Sequence, residues 1–311
     1  MPWAGLLPVD KPVGITSHDV VDRARRRLGM RAIGHLGTLD PGASGLLVLV
    51  LGAATRCASV WQGGAKTYEG AACFGVVTGS QDLQGHVLER REVPMLDEVG
   101  VREASDALTG DLLQVPPMVS ALKHRGERLH AIARRGEEVV REPRAIHVER
   151  WEWLSFDPAA ARFVVRCSGG TYVRTLVHDL GAALGTGAAL ASLRRLASEP
   201  FHIDRAAPWA SLEGEPRDSI LAEYGIALDD ALRTLPPLAL DAAQVEALGY
   251  GQSLTLSEAW PDGVTAERSV VLRGPTGRAL GLGGIQHGED GRWRAKPDVV
   301  FPWAVHGAES A

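Results

Sequence analysis

A glycine-rich loop that leads directly into a run of large apolar residues constrains the fold of this chain most strongly. The loop, residues 34–45, places four glycines and one proline around a single carboxylate, Asp40. The run that follows, residues 46–51, is far shorter than the roughly 20 residues of a membrane-spanning helix and predicts one buried strand. Glycines let another molecule approach the main chain closely, so the loop should present Asp40 beside a rigid strand.

Two interpretations of Asp40 follow from the residues alone. The first is an ordinary turn, since an aspartate before a proline and a glycine is typical of turn initiation. The second is a functional carboxylate held in a loop that a ligand can approach. A phosphate-binding loop is excluded, because the spacing is not G-x-G-x-x-G and no Gly-Lys-Ser/Thr follows.

The distribution of charge along the chain differs from its total. The 311 residues carry a net charge of −5, which by itself argues against a nucleic-acid partner. Residues 1–200 carry 24 basic and 22 acidic side chains, whereas residues 201–311 carry 9 and 16. Within residues 121–135 there are five lysines and arginines against one glutamate. A local basic surface is therefore available in the first part of the chain.

The pattern of elements predicts an α+β fold with a mixed, largely antiparallel sheet. Helices are predicted at residues 17–28, 97–108 and 175–184, and strands at 68–78 and 163–167. We expect a larger domain over residues 1–205, a connecting segment over 206–237 and a small β-rich module over 238–305, where short apolar segments alternate with glycine-containing turns.

The spacing of the cysteines and the first residues of the chain indicate whether to expect a metal site and where in the cell the protein acts. The three cysteines lie far apart without a C-x-x-C pair, which argues against a disulfide framework and a zinc site. The N-terminus lacks the basic and apolar stretches of a secretory signal. We expect a cytoplasmic protein with no metal and no membrane segment.

Seven segments occur in the order in which they are found in one enzyme family. The chain resembles the TruB-type tRNA pseudouridine synthases over about residues 5–200, and its C-terminal module resembles the PUA domain. The matching segments are LPVDKPVGITS (7–17), GHLGTLDPGASG (34–45), KTYEG (66–70), TGSQDLQG (78–85), VPPMVSALK (115–123), CSGGTYVRTL (167–176) and LRRL (193–196).

The resemblance implies a reaction and a partner. It implies isomerisation of uridine to pseudouridine at position 55 in the T-loop of tRNA, in which uracil leaves C1′ of its ribose, turns, and rejoins through carbon. The target base must first be flipped out of the folded loop. The resemblance further implies no cofactor, the T-arm of tRNA as partner, no obligatory protein partner, and a monomer.

The same resemblance assigns three catalytic residues. Asp40 is the catalytic aspartate, which either attacks C1′ or removes a proton at C2′. Arg174 is expected to pair bidentately with Asp40 and keep it ionised. Tyr68 is expected to stack on the detached base and to take part in proton transfer at C5. Taken without the resemblance, such a tyrosine is more often a core residue and such an arginine a surface residue.

Further residues are assigned to RNA and base binding. His35 is expected to stack into the T-loop as the bases flip, and Tyr172 and Leu193 to form walls of the base pocket. Lys11 is expected to support the Asp40 loop or a backbone phosphate. The basic insertion at about residues 120–145 is expected to close over the T-arm through Lys123, Arg125 and Arg128, the alternative being a solvated amphipathic helix.

Other functions remain open at this point. They are a related pseudouridine synthase with another RNA target, a tRNA-binding or tRNA-folding module with vestigial catalysis, and a glycoside hydrolase. The last needs two carboxylates beside the bond, and no second acid is matched to the pocket. The chain also departs from the family in having Gly169 where a lysine is common, which removes one expected phosphate contact.

Overall fold

The computed structural model describes residues 3–93, 98–120, 122–124, 126–256, 269–288 and 290–305. The strands are β1 (Gly5–Lys11), β2 (Ile33–Leu36), β3 (Ala43–Leu51), β4 (Lys66–Phe74), β5 (Val76–Thr78), β6 (Val87–Arg90), β7 (Gly110–Gln114), β8 (Lys123–His124), β9 (Glu127–Arg128), β10 (Arg144–Trp153), β11 (Ala161–Cys167), β12 (Ala188–Ser198), β13 (Phe201–His202), β14 (Ile226–Ala227), β15 (Pro237–Ala239), β16 (Leu254–Thr255), β17 (Ser269–Arg273), β18 (Ala279–His287) and β19 (Trp293–Val300).

The helices lie between these strands. They are α1 (Ser17–Leu28), α2 (Glu98–Asp106), α3 (Leu129–Arg134), α4 (Val173–Ala183), α5 (Trp209–Gly214), α6 (Arg217–Tyr224), α7 (Leu228–Ala231), α8 (Ala242–Gly249) and α9 (Pro302–Val305), with 3-10 helices at Gly52–Trp61 and Ile203–Arg205. In the described part of the chain, no helix is long and apolar enough to span a membrane.

A ten-stranded sheet forms the larger part of the molecule. Its main path is β14-β1-β3-β12-β4-β11-β10-β7, with β2 paired to β3 and β13 paired to β12. Within the described residues, β12 and β3 are its only parallel pair of strands. The prediction of an α+β fold with a mixed, largely antiparallel sheet is confirmed.

The central strand β3 is buried on both faces. Leu47, Leu49 and Leu51 pack into one core cluster, which includes the apolar face of α1. The alternate residues Leu46, Val48 and Val50 pack into a second cluster on the other face. Each such side chain stabilises the fold by roughly 1.5–3 kcal/mol. The predicted buried strand is confirmed, and it gives the Asp40 loop a rigid attachment.

The first helix begins and ends where its signals predict. The Thr16 side chain accepts a hydrogen bond from the backbone of Asp19, and Asp19 bonds back to the Thr16 backbone, so the two form a capping box. The helix ends at Gly29, which has a left-handed conformation. The predicted segment 68–78 forms two strands instead of one, because Gly75 with φ +80° turns the chain between β4 and β5.

A five-stranded sheet forms the C-terminal part, in the order β15-β17-β18-β19-β16. Val271 and Phe301 of this part pack into the same cluster as Val50 of β3. Strand β14, which falls in the predicted connecting segment, pairs with β1 at the edge of the large sheet. The connecting segment is therefore packed against the large sheet along part of its length.

Candidate active site

A cavity of about 300 Å³ opens beside the Asp40 loop. Its walls come from the loop, from β4 and β12, and from the start of α4. Five of the residues predicted from the sequence line it, namely Asp40, Tyr68, Tyr172, Arg174 and Leu193. These residues lie between positions 40 and 193, and the sheet brings Tyr68 and Leu193 together because β4 and β12 are neighbours.

The Asp40 loop is fastened to the turn between β1 and α1. The Ser17 hydroxyl donates to the carbonyl of Leu39 at 3.0 Å and accepts from the Leu39 N–H at 2.8 Å. The Gly14 N–H donates to the carbonyl of Pro41 at 2.8 Å. These bonds lie on both sides of Asp40 and hold its main chain in place.

Lys11 supports the same turn from the interior. Its side chain is fully buried, and its Nζ donates to the carbonyls of Pro12 at 2.9 Å and Ile15 at 2.8 Å. Burial lowers the pKa of Lys11 to about 8, while the Asp40 charge opposes that shift. Of the two roles expected for Lys11, contact with an RNA phosphate does not fit this position, because the ammonium group is enclosed by protein.

Arg174 contacts Asp40 from the first turn of α4. Its Nη1 lies 3.3 Å from Asp40 Oδ2, and the arginine side chain is only 4% exposed. The bidentate pair that the sequence predicts does not form. Nη1 also lies 3.7 Å from Asp82 Oδ2, and Nη2 donates to the carbonyl of Val119. Burial raises the pKa of the Asp40 carboxyl, and the nearby guanidinium opposes that rise.

Asp82 is a second carboxylate at the site, which the sequence reasoning did not assign. Its Oδ1 accepts from the Ser80 hydroxyl at 2.6 Å and from the Gln84 N–H at 3.1 Å. The Asp82 charge raises the pKa of Asp40. The expectation that no second acid lies near the pocket is therefore wrong. The signal was available, since Asp82 is the one acid of the matched segment 78–85.

Tyr68 lies on β4 and reaches the cavity from a buried position. Burial raises the pKa of its phenol, and the charge and hydrogen bond of the Arg195 guanidinium oppose that rise. Arg195 itself lines the cavity and is 1% exposed. The sequence reasoning noted Arg195 only as part of a matched segment and gave it no role.

Tyr172 and Leu193 line the cavity. The backbone of Tyr172 is fixed by Gln114, whose amide oxygen accepts from the Tyr172 N–H at 2.8 Å and whose amide nitrogen donates to the Tyr172 carbonyl at 3.1 Å. The Arg174 guanidinium lies 5.7 Å from the centre of the Tyr172 ring. The ring is thus held by the same helix start that supplies the arginine.

His35 lies outside the Asp40 cavity and lines a neighbouring one of about 370 Å³, together with Trp61, Lys66 and Gly169. Burial lowers the pKa of His35, so the neutral imidazole is favoured. Lys66 lines both cavities. A Cβ atom at position 169 would lie 3.0 Å from the Lys66 Nζ, so the missing side chain at Gly169 leaves room for that ammonium group.

The basic insertion contains a short hairpin, β8 and β9, followed by the six-residue helix α3. Arg128 is exposed at the start of α3, the side chain of Lys123 is not described, and Arg125 lies outside the described residues. Arg135 forms ion pairs with Glu127 and Glu137. The alternative of a single solvated amphipathic helix is wrong, because the chain reverses direction between β8 and β9.

Family models match the segments that build this site. The model of the TruB family pseudouridylate synthase N-terminal domain matches residues 25–173, and that of the tRNA pseudouridylate synthase B C-terminal domain matches residues 174–234. Asp40 and Tyr68 lie in the first match and Arg174 in the second. Fold and site together define a pseudouridine synthase.

Similar proteins extend over nearly the whole chain. A tRNA pseudouridine synthase B of Syntrophotalea carbinolica is 40% identical over 88% of this chain and 89% of its own length. That of Heliobacterium mobile is 36% identical over 97% and 96%. A chain in the crystal structure of a Cbf5-Nop10-Gar1 complex matches with a TM-score of 0.69 at 25% identity, over 96% of this chain and 85% of that one. This chain belongs to the tRNA pseudouridine synthase B family.

Proposed function

We propose that this protein isomerises uridine to pseudouridine at position 55 in the T-loop of tRNA. The observation that carries the proposal is the Asp40 carboxylate held 3.3 Å from a buried guanidinium at the cavity. Relatives named tRNA pseudouridine synthase B, 36–40% identical over most of the chain, support tRNA as the substrate.

Asp40 acts on the ribose in its ionised form. A carboxylate is needed both for attack at C1′ and for removal of a proton at C2′, since either step places positive charge or a proton next to it. Burial alone favours the neutral acid, and Arg174 shifts the balance toward the ion. The arginine therefore has an electrostatic as well as an orienting role.

The cavity receives a base that has left the tRNA loop. Flipping costs a few kcal/mol, and stacking and apolar contacts offset that cost. Tyr68, Tyr172 and Leu193 supply these contacts. His35 fills the space that the base leaves in the T-loop, for which a neutral, planar imidazole is suited because it stacks without the cost of burying a charge.

The remaining assignments concern the RNA outside the cavity. The insertion, through Lys123, Arg125 and Arg128, closes over the T-arm, and residues 238–305 act as a PUA-like RNA-binding module joined to the catalytic domain 1–205 by residues 206–237. The protein acts as a monomer, without a cofactor or an obligatory protein partner. It acts on tRNA in the cytoplasm.

The substitution Asp40→Asn tests this function. An unmodified tRNA transcript is incubated with each protein, pseudouridine is mapped along the RNA, and free uracil is measured. The native chain should modify position 55, and Asp40→Asn should give no product while its affinity for the tRNA stays within about tenfold. The control Asp22→Asn removes a half-exposed carboxylate of α1, which pairs with Arg25, and should retain activity.

Three outcomes would contradict the proposal. Full activity of Asp40→Asn would remove Asp40 from the mechanism. Pseudouridine at another position, or in another RNA only, would make the protein a related synthase with a different target. Release of free uracil without pseudouridine would make it a glycoside hydrolase, for which Asp40 and Asp82 are the two available acids.

A further inference from the structure

Arg195 is a buried cation without a carboxylate partner among the residues that the structure describes. Its Nε donates to the carbonyl of Leu46 at 2.7 Å, and its Nη2 donates to the carbonyl of Gly37 at 3.0 Å. Enclosing a charge in protein is costly unless it is paired and hydrogen-bonded. Two neutral carbonyls satisfy the geometry of the guanidinium but leave its charge uncompensated.

The sheet places Arg195 directly across from Tyr68. The two residues are opposite each other in the antiparallel pair of β12 and β4, so their side chains lie on the same face. On the other side of β12, Arg195 is opposite Gly45 of β3. A Cβ atom on Gly45 would come within 2.3 Å of the Arg195 carbonyl oxygen, so a glycine is required for this close approach.

The guanidinium therefore connects three parts of the site. It donates to the Gly37 turn of the Asp40 loop and to the β3 strand that follows the loop, and it lines the same cavity as Tyr68, which lies opposite it in the sheet. Of these three parts, only the Tyr68 phenol can lose a proton, and it would then give Arg195 an anionic partner. A phenolate at Tyr68 would form a neutral pair with the buried guanidinium.

We propose that Arg195 is a positioning residue, which holds the Tyr68 oxygen at the cavity as the acceptor for the proton that leaves C5 of the base. The proposal rests on the proposed function, since only base reattachment through C5 requires that proton to leave. Arg195 acts through Tyr68 and through the Gly37 turn.

After reattachment, C5 carries both its hydrogen and the new bond to C1′, and C6 is joined to N1 by a double bond. The C5 proton passes to the Tyr68 phenolate, its electron pair forms the C5–C6 double bond, and the C6–N1 pair moves to N1. N1 takes a proton from water, and the phenol returns its proton to the hydroxide so formed.

The test uses tRNA with deuterium at C5 of the target uridine. Arg195→Lys keeps a charge but loses the planar fork of donors, and it should lower turnover by about 10²-fold. Because proton removal becomes slower, the deuterium isotope effect on turnover should rise. The rise of turnover with pH should also move to higher pH, since loss of the guanidinium contact raises the pKa of the phenol further. The titratable groups that face the phenol are Arg195 on β12, Cys167 on β11 and Asp40 in the loop.

Two further variants separate positioning from folding. Arg194→Lys changes the adjacent arginine, which binds Asp10 through two hydrogen bonds, and it should leave both readouts at native values. Arg195→Met removes the charge and should move the rise of turnover to a higher pH than Arg195→Lys does. Should Arg195→Met fail to fold, Arg195→Lys carries the test.

The outcomes are distinguishable. A raised isotope effect or a shifted pH profile in Arg195→Lys supports the proposal. If both stay at native values while turnover falls, Arg195 is only structural and the proposal is overturned. A native protein that makes no pseudouridine would instead overturn the proposed function.

Discussion

The Arg174 guanidinium is shared among three groups. It faces Asp40, Asp82 and the carbonyl of Val119, so no single partner takes its full donor set. A bidentate pair with Asp40 would hold that carboxylate more tightly but would use both oxygens. The observed contact engages one oxygen, Oδ2, and leaves the other available for chemistry.

The acid limb of the pH profile of turnover should report on this shared guanidinium. Asp40 must be ionised, and its pKa is raised by burial, so turnover should fall further as the pH drops through that raised pKa, at a lower pH than the limb set by the Tyr68 phenol. In Arg174→Met the main opposing charge is lost, and the limb should move to higher pH. In Asp82→Asn a like charge is lost, and the limb should move to lower pH.

Turnover of both variants measured across pH checks these directions. Asp111→Asn, which removes an exposed carboxylate paired with His147, is the control and should leave the limb unchanged. If the acid limb moved in the same direction in both variants, a group other than Asp40 would control it.

The residues of the site differ in how far the sequence alone reveals them. Asp40 lies in a loop whose glycines and following strand are local signals. The pairing of Arg195 with Tyr68 depends on the register of two strands that are far apart in the chain. No local pattern contains that register, and a lone arginine in a strand carries no sign that it will be buried.

Among the elements, β3 and α1 were predictable because their signals are local. A continuous apolar run predicts burial on both faces, and a capping box predicts a helix start. The division of residues 120–135 into a hairpin and a short helix was not predictable, since its alternating charges fit a solvated helix equally well. The structure has an antiparallel hairpin before α3, and Leu129 and Ile132 of α3 are buried.

The N-cap of α1 gives a prediction at this scale. Thr16→Ala removes the side-chain acceptor of the capping box and should lower the free energy of unfolding by about 1 kcal/mol. Thr16→Ser keeps the hydroxyl and should stay close to the native value. Urea denaturation of the three proteins measures the difference. Equal losses in both variants would show that the methyl group of Thr16, not its cap, is responsible.

At the scale of the whole molecule, the distribution of charge decides how RNA is held. If the insertion contacts the T-arm, substituting Lys123, Arg125 and Arg128 with glutamine should weaken tRNA binding and flatten its dependence on salt. Each lost phosphate contact should reduce the slope of log K against log salt by about 0.7–0.9.

Binding measured at several salt concentrations gives this slope. The matched control is the triple glutamine variant of three arginines that pair with carboxylates on the surface, Arg102, Arg150 and Arg233. Its slope should remain at the native value. An unchanged slope in the insertion variant would place the segment away from the RNA.

Strand β3 is a shared wall between two cores. Its odd-numbered residues face the helix that supports the Asp40 loop, and its even-numbered residues face the cluster that includes Val271 and Phe301. Both cores pack on the same strand, so loss of packing on one face removes support from the strand on which the other core rests. The Asp40 loop and the C-terminal sheet should therefore unfold as one cooperative unit. A substitution that destabilises the C-terminal sheet should then also destabilise the Asp40 loop, although it makes no contact with the carboxylate.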